Sequence, residues 1–308
     1  MPWDDNDRMQ SREFDPSPLG RPALLRLPDP GVDVRGGVVA LHSAGLPQRQ
    51  QPLFEHLAIT LTAMGFAVLT FDRRPGRNGE DTPLDVQADD ALAAVEYLRS
   101  TIDAPVGLYG FSQGAWAASL AAARDSTVAM LAMVGCSGVS PAEQMRFHTD
   151  ERLRRAGYDE SVRAQQRELR LAYEALLRVD GDRETAGGLL ADAVDQPWFG
   201  LSYLDSRLPA PEQSWPDMDY DPEPAFSAVT CPVLLIYGAD EDCVPTAASE
   251  QVWRRATRSA GHPEPTVVTL ADCGHFPAPV SEPNSLTVPI AAFSPAYTIA
   301  LRRWFAER

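Results

Sequence analysis

Not one lysine occurs among the 308 residues, so all 27 basic side chains are arginines. A Ser-Lys dyad, Schiff-base chemistry and a Walker-type phosphate loop each need an ε-amine, and all three are excluded. The basic residues are also outnumbered: 43 Asp and Glu leave a net charge of −16 and a pI near 4.7. Phosphate-backbone binding needs clustered cations to displace counterions, so nucleic acid is not an expected partner. An all-arginine basic set points to a GC-rich bacterial genome.

Cysteine is scarce too. The four present, Cys136, Cys231, Cys243 and Cys273, lack CxxC spacing and read as reduced thiols. The five histidines show no His-x-x-x-His spacing, so neither a metal nor a cofactor is expected. There is no run of eighteen apolar residues, and the amino-terminal residues lack the basic and apolar regions of a secretory signal. The expectation is a soluble cytoplasmic protein without a membrane partner. Residues up to about Pro22 read as a polar, proline-containing arm without regular structure.

What is present is a chain with 44% hydrophobic residues, enough for one large core plus an insert. Its most informative stretch is Gly110-Phe111-Ser112-Gln113-Gly114. An apolar run at 106–109 precedes it and an alanine-rich helix at 115–123 follows. A serine at the apex of such a turn adopts a strained backbone, and the flanking glycines allow close strand–helix approach. The same pattern also serves as a plain small-residue turn in doubly wound folds. Further strands are expected at 37–41, 66–71, 128–134, 231–237 and 266–270, with a helix at 52–64.

A serine hydroxyl needs a base and a group that orients the base. His42 ends a strand, His56 lies in a helix, His148 in a charged insert and His262 in a Gly-His-Pro turn. His275 follows the strand at 266–270 and a four-residue loop, which puts it on the same sheet edge as Ser112. Three carboxylates, Asp240, Glu241 and Asp242, lie between them on the loop after the strand at 231–237.

Here the chain resembles the α/β-hydrolase superfamily, in particular its dienelactone-hydrolase-like and prolyl-oligopeptidase-like bacterial serine hydrolases. The family's acid loop reads Gly-x-x-Asp-x-x-Val-Pro. Counting from Gly238 or back from Val244-Pro245 places the acid at Glu241, with Asp242 and then Asp240 as alternatives. The resemblance implies a mostly parallel sheet flanked by helices, a catalytic triad and an oxyanion hole. Its donors would be the N–H groups of Gln113 and, in the loop His42-Ser43-Ala44-Gly45, of Ala44. Ser43 departs from the family's His-Gly. His42 reads equally as a brace of that loop or as an ordinary loop residue. Asp72-Arg73-Arg74-Pro75-Gly76-Arg77-Asn78-Gly79 resembles the Asp-x-Arg-Gly-x-Gly loop bordering the site. Arg73 is thereby a candidate for binding a substrate carboxylate, with an ion pair to Asp72 the competing role for at least one of the two arginines.

Almost a hundred residues without a strand separate 128–134 from 231–237, which predicts a helical cap insert at 141–225 within a core formed by 1–140 and 226–308. One helix should start at Pro141 and end before Gly157, and another should run from about Glu160 to Val179. Aromatics follow, and Trp198, Phe199, Tyr203, Trp215 and Tyr220 are candidates for lining an acyl or alcohol pocket, or equally for sealing the cap. Gly110 to Trp116 and Ser140 to Gln144 are similar to a bacterial subgroup of the superfamily. The expected function is hydrolysis of a small carboxylic ester or thioester through an acyl-enzyme. The alternatives are ring closure or acyl transfer by the same residues, or a scaffold that binds without turnover. Oligomeric state has no sequence signature here.

Overall fold

A computed structural model describes residues 10–14, 19–45, 47–76, 81–280 and 288–308. Arg77, Asn78 and Gly79 of the arginine loop, and much of the amino-terminal arm, lie outside the described residues.

The strands are β1 (Gln10–Phe14), β2 (Ala23–Leu27), β3 (Gly36–Leu41), β4 (Phe66–Phe71), β5 (Val106–Phe111), β6 (Leu131–Val134), β7 (Val233–Gly238) and β8 (Thr266–Leu270). They form one eight-stranded sheet in the order β1-β2-β4-β3-β5-β6-β7-β8. From β4 to β8 every pairing is parallel, while β1–β2 and β2–β4 are antiparallel. The expected mostly parallel sheet is therefore present, with one correction. The arm contains a strand, β1, whose Gln10 pairs with Leu27 and whose Phe14 pairs with Ala23. Its Gln-Ser-Arg-Glu-Phe sequence has no apolar signature because main-chain hydrogen bonds to β2 hold it.

The central strands are buried on both faces, which is why they read as continuous apolar runs. Val39 and Leu41 of β3 face one core and Val38 and Ala40 the other. The first core packs against α2 (Leu84–Thr101), α3 (Gln113–Arg124), α7 (Glu223–Ala228) and α8 (Thr246–Ala260), with Trp253 stacked on Phe226 at 3.8 Å between ring centroids. The second packs against α1 (Pro52–Thr62) and α9 (Pro295–Ala306).

Between β6 and β7 the chain forms α4 (Pro141–Arg155), α5 (Glu160–Leu177) and α6 (Arg183–Ala193) before α7. A capping box starts α4: the Ser140 hydroxyl accepts from the Glu143 N–H, and the Glu143 carboxylate accepts from the Ser140 N–H. Asp159 and Asp182 cap α5 and α6. These helices share a third apolar cluster, Leu153, Leu169, Leu190, Ala193 and Trp198, separate from the two sheet cores. Among the described residues no helix is long and apolar enough to cross a membrane, and all four cysteines are free.

Candidate active site

Strand β5 runs directly into α3 through Ser112, whose φ of 54° and ψ of −119° are foreign to an ordinary L-residue. Glycine is required on both sides by close approach. A Cβ at Gly110 would lie 2.5 Å from the Gly114 carbonyl oxygen, and one at Gly114 would lie 2.5 Å from that of Leu41. The Ser112 N–H donates to the Val134 carbonyl at 2.9 Å, which ties the turn to the end of β6.

His275 reaches the same sheet edge from the loop after β8. It sits over Gly135, where a Cβ would come within 2.6 Å of its Cε1. Glu241, on the loop after β7, approaches its other side, with Nδ1 3.0 Å from Oε1 and 3.1 Å from Oε2. The Glu241 side chain is only 3% exposed, and Oε1 also accepts from the N–H groups of Cys243 and Val244 at 2.9 and 3.2 Å. A buried carboxylate with three donors is fully engaged. Burial would raise the Glu241 pKa, but His275 and the two backbone donors hold it below the usual carboxylate range. Burial would likewise lower that of His275, yet the adjacent Cys243 sulfur and the Glu241 carboxylate raise it well above the ordinary imidazole value. Nε2 of His275 is buried without a hydrogen-bond partner among the described residues.

The acids on either side make other contacts. Asp240 pairs with Arg155 at 3.0 Å, and the main-chain carbonyl of Asp242 accepts from His148 Nδ1 at 2.8 Å. Of the three acids proposed from sequence, Glu241 is the one bonded to His275.

Ser112, Gln113, Ala44 and His275 line one cavity of about 590 Å³. Gln113 is the first residue of α3, so its N–H has no acceptor within the helix. Phe111, Trp116, Met145 and Phe276 make much of the wall apolar. Of the aromatics proposed from the insert, Tyr203 and Trp215 line this cavity. Trp198 and Phe199 do not: Trp198 belongs to the insert's own cluster, and Phe199 packs against that cluster. Aromatic bulk served to hold α4, α5 and α6 together.

Arg73 also differs from expectation. It is 8% exposed, does not line the cavity, and binds Gln113, Ser43, Gln87 and Asp81. Asp72 pairs with Arg49 at 2.7 Å rather than with either adjacent arginine, and Arg74 pairs with Asp90 together with Arg21. His42 lies beneath the loop against the edges of Phe54 and Phe71. Burial, with Arg73 adding to it, pushes its pKa down to about 3, so it is a neutral packing residue.

Sequence reasoning named Gln144 only as the end of a motif and His148 only as part of a charged insert. Both face the cavity from α4, and Gln144 Nε2 donates to Cys243 Sγ at 3.1 Å. The capping box at Ser140 sets the phase of α4 and puts 144 and 148 on one face, a signal that was available. Tyr203, named among the insert's aromatics, reaches the cavity beside His148. Its backbone is left-handed (φ 53°), its ring is 5.0 Å from that of His148, and Arg152 lies over its face at 4.6 Å. Tyr203 and His275 border both this cavity and a second of about 620 Å³. Among the described residues no His, Cys, Asp and Glu cluster could hold a metal ion.

The solved structures similar to this chain include a dienelactone hydrolase from Anabaena variabilis, at 16% identity and a TM-score of 0.52, covering 97% of this chain and 96% of that one. An E-2-(acetamidomethylene)succinate hydrolase matches at 18% identity and a TM-score of 0.53, covering 96% and 99%. A proline iminopeptidase from Mycobacterium smegmatis matches at 16% identity and a TM-score of 0.51, covering 86% and 91%. At these identities the likeness is one of fold. No curated protein matches the chain. The model of the Alpha/beta hydrolase family does match, over residues 38–288, a span that takes in most of β3, the turn at Ser112, the acid loop and His275. The strained serine between β5 and α3, with a histidine and an acid brought to the same edge by later loops, thus belongs to a member of the α/β-hydrolase family.

Proposed function

We propose that this protein is a serine hydrolase that cleaves a small carboxylic ester or thioester through an acyl-enzyme on Ser112. The observation that carries this reading is the buried Glu241–His275 pair on the cavity that also holds the strained Ser112. In the reaction, the Ser112 hydroxyl attacks the carbonyl and His275 Nε2 takes its proton. Glu241 fixes the tautomer with the proton on Nδ1 and stabilises the imidazolium. The N–H groups of Gln113 and Ala44 hold the oxyanion. His275 then gives the proton to the leaving alcohol or thiol, and water resolves the acyl-enzyme by the same steps in reverse.

Residues 141–225 serve in this reading as a cap, because α4 and Trp215 supply one wall of the cavity. The apolar wall favours an apolar acyl or alcohol group. It also favours the second reading, ring closure or acyl transfer, in which a hydroxyl or amine of the substrate replaces water. A scaffold without turnover has less support, since the glutamate that departs from the family's aspartate is hydrogen-bonded to His275.

The test is labelling with a fluorophosphonate together with burst kinetics on p-nitrophenyl esters of increasing acyl length. The expected result is a Ser112 adduct by intact-protein mass, a burst, and loss of both in Ser112→Ala with unchanged thermal unfolding. Absence of adduct, burst and turnover across the series would overturn the reading, while cyclic or transferred products would select the second.

A further inference from the structure

The two oxyanion donors sit on different elements, Ala44 on the loop after β3 and Gln113 at the start of α3. One buried side chain touches the supports of both. Arg73 Nη1 lies 2.6 Å from Gln113 Oε1 and 3.3 Å from the Ser43 carbonyl oxygen. Its Nη2 pairs with Asp81 at 2.7 Å. Gln87 Oε1 is a further acceptor for Nη1 at 3.4 Å, and the Gln87 amide is tied to the Thr82 carbonyl at 2.6 Å. The Arg73 main chain is fixed as well, its N–H donating to the Pro47 carbonyl at 2.8 Å.

The Ser43 contact has a directional consequence. In a planar trans peptide the carbonyl of Ser43 and the N–H of Ala44 point in opposite directions. A cation that holds the carbonyl on one side therefore aims the N–H at the other. Arg73 lies outside the cavity and Ala44 lines it. The carbonyl is also polarised by the guanidinium, which strengthens the same peptide's N–H as a donor. On the other side, anchoring the Gln113 side chain holds the first residue of α3 and with it the N–H beside Ser112.

We propose that Arg73 is the positioning residue of the oxyanion hole, setting both backbone donors from beneath the site rather than binding a substrate group. This rests on the hydrolase reading above for its catalytic consequence, while the geometric claim stands independently of it. A planar fork that reaches three neutral acceptors and a carboxylate at once is a task for arginine that lysine cannot reproduce.

The test compares wild type with Arg73→Met, Arg73→Lys and, as a surface control, Arg74→Met. Removing one oxyanion donor outright costs about 10²- to 10³-fold in kcat. Misaligning two without removing either should cost about 10- to 10²-fold, with KM within about threefold. Affinity for an alkylboronic acid, which forms a tetrahedral adduct on Ser112, should fall in step with kcat/KM. Arg73→Lys should recover only part of the loss, and it keeps a charge opposite Asp81 if Arg73→Met fails to fold. Selectively labelled Ala44 and Gln113 should show shifted amide ¹H and ¹⁵N resonances in Arg73→Lys, with those of Ala142 in α4 unmoved.

A kcat within about threefold of wild type in folded Arg73 variants, or unmoved Ala44 and Gln113 resonances, would overturn the proposal. So would a raised KM with kcat retained, which would mark a substrate-binding arginine. If wild type forms no phosphonyl adduct the hydrolase reading falls, and the resonances still decide whether Arg73 sets the two amides.

Discussion

Glutamate carries one methylene more than aspartate, and the loop after β7 accommodates it by giving Glu241 Oε1 two backbone donors besides His275. Glu241→Gln keeps the shape but offers His275 the wrong hydrogen-bonding partner. The expected loss in kcat is about 10³-fold or more, by analogy with the effect of amidating a triad acid, whereas Asp242→Asn should change kcat by less than about threefold. Steady-state kinetics on the two variants check the ranking, and an equal or reversed loss would refute it. The pH profile follows from the raised pKa of His275. Only neutral imidazole takes the serine proton, so kcat/KM should fall as pH drops through that raised value. The acid limb accordingly lies above the ordinary imidazole value of about 6.5. Its effect on stability has the opposite sign: protonated His275 stabilises the fold fully below about pH 6.5, and the contribution fades as pH rises through the raised pKa. Weakening the pair with Glu241→Gln should move the acid limb to lower pH, and an unmoved limb would show that another group sets it.

At the scale of elements, α4 joins a local sequence signal to the cavity wall. Its capping box was present in Ser140-Pro141-Ala142-Glu143, and the helix carries Gln144, Met145 and His148 to the site. Ser140→Ala should cost about 1 kcal/mol in denaturant unfolding, and a change under about 0.3 kcal/mol would mean the cap is not limiting. At the elbow, Gly114→Ala should cost more, at the upper end of the roughly 1–3 kcal/mol for overpacking, because the atoms in the way are main-chain carbonyls that cannot rotate aside. Strands β3 to β7 were legible because both faces are buried and the sequence stays apolar, and the more exposed β8 because its residues are mostly β-branched. So was the order of serine, acid and histidine along the chain. Strand β1 was not, since four of its five residues are polar with no apolar alternation, and α2 lacked a sharp apolar stripe amid its Asp and Ala residues. The roles of Trp198, Phe199 and Arg73 were illegible for a different reason: each depends on which surface its element meets, and no spacing in the sequence encodes that docking.

For the whole molecule, the insert's own apolar cluster leads us to expect that it unfolds as a separate cooperative unit. Trp198→Ala should remove about 3–5 kcal/mol of packing, and the loss should appear as faster hydrogen exchange in α4, α5 and α6 while β3, β5 and β7 keep their protection. Uniform loss of protection across the sheet would show instead that insert and core unfold together. The backbone at Ser112 has a consequence for the energy of the entire chain. A non-glycine residue in that region costs on the order of 1–3 kcal/mol, which the unfolded chain does not bear and the cores must offset. Activity and durability therefore pull in opposite directions at this one position. Ser112→Gly, which accepts the same dihedral angles, should be inert toward esters yet melt at a higher temperature than the parent, leaving a sturdier protein that can no longer form an acyl-enzyme.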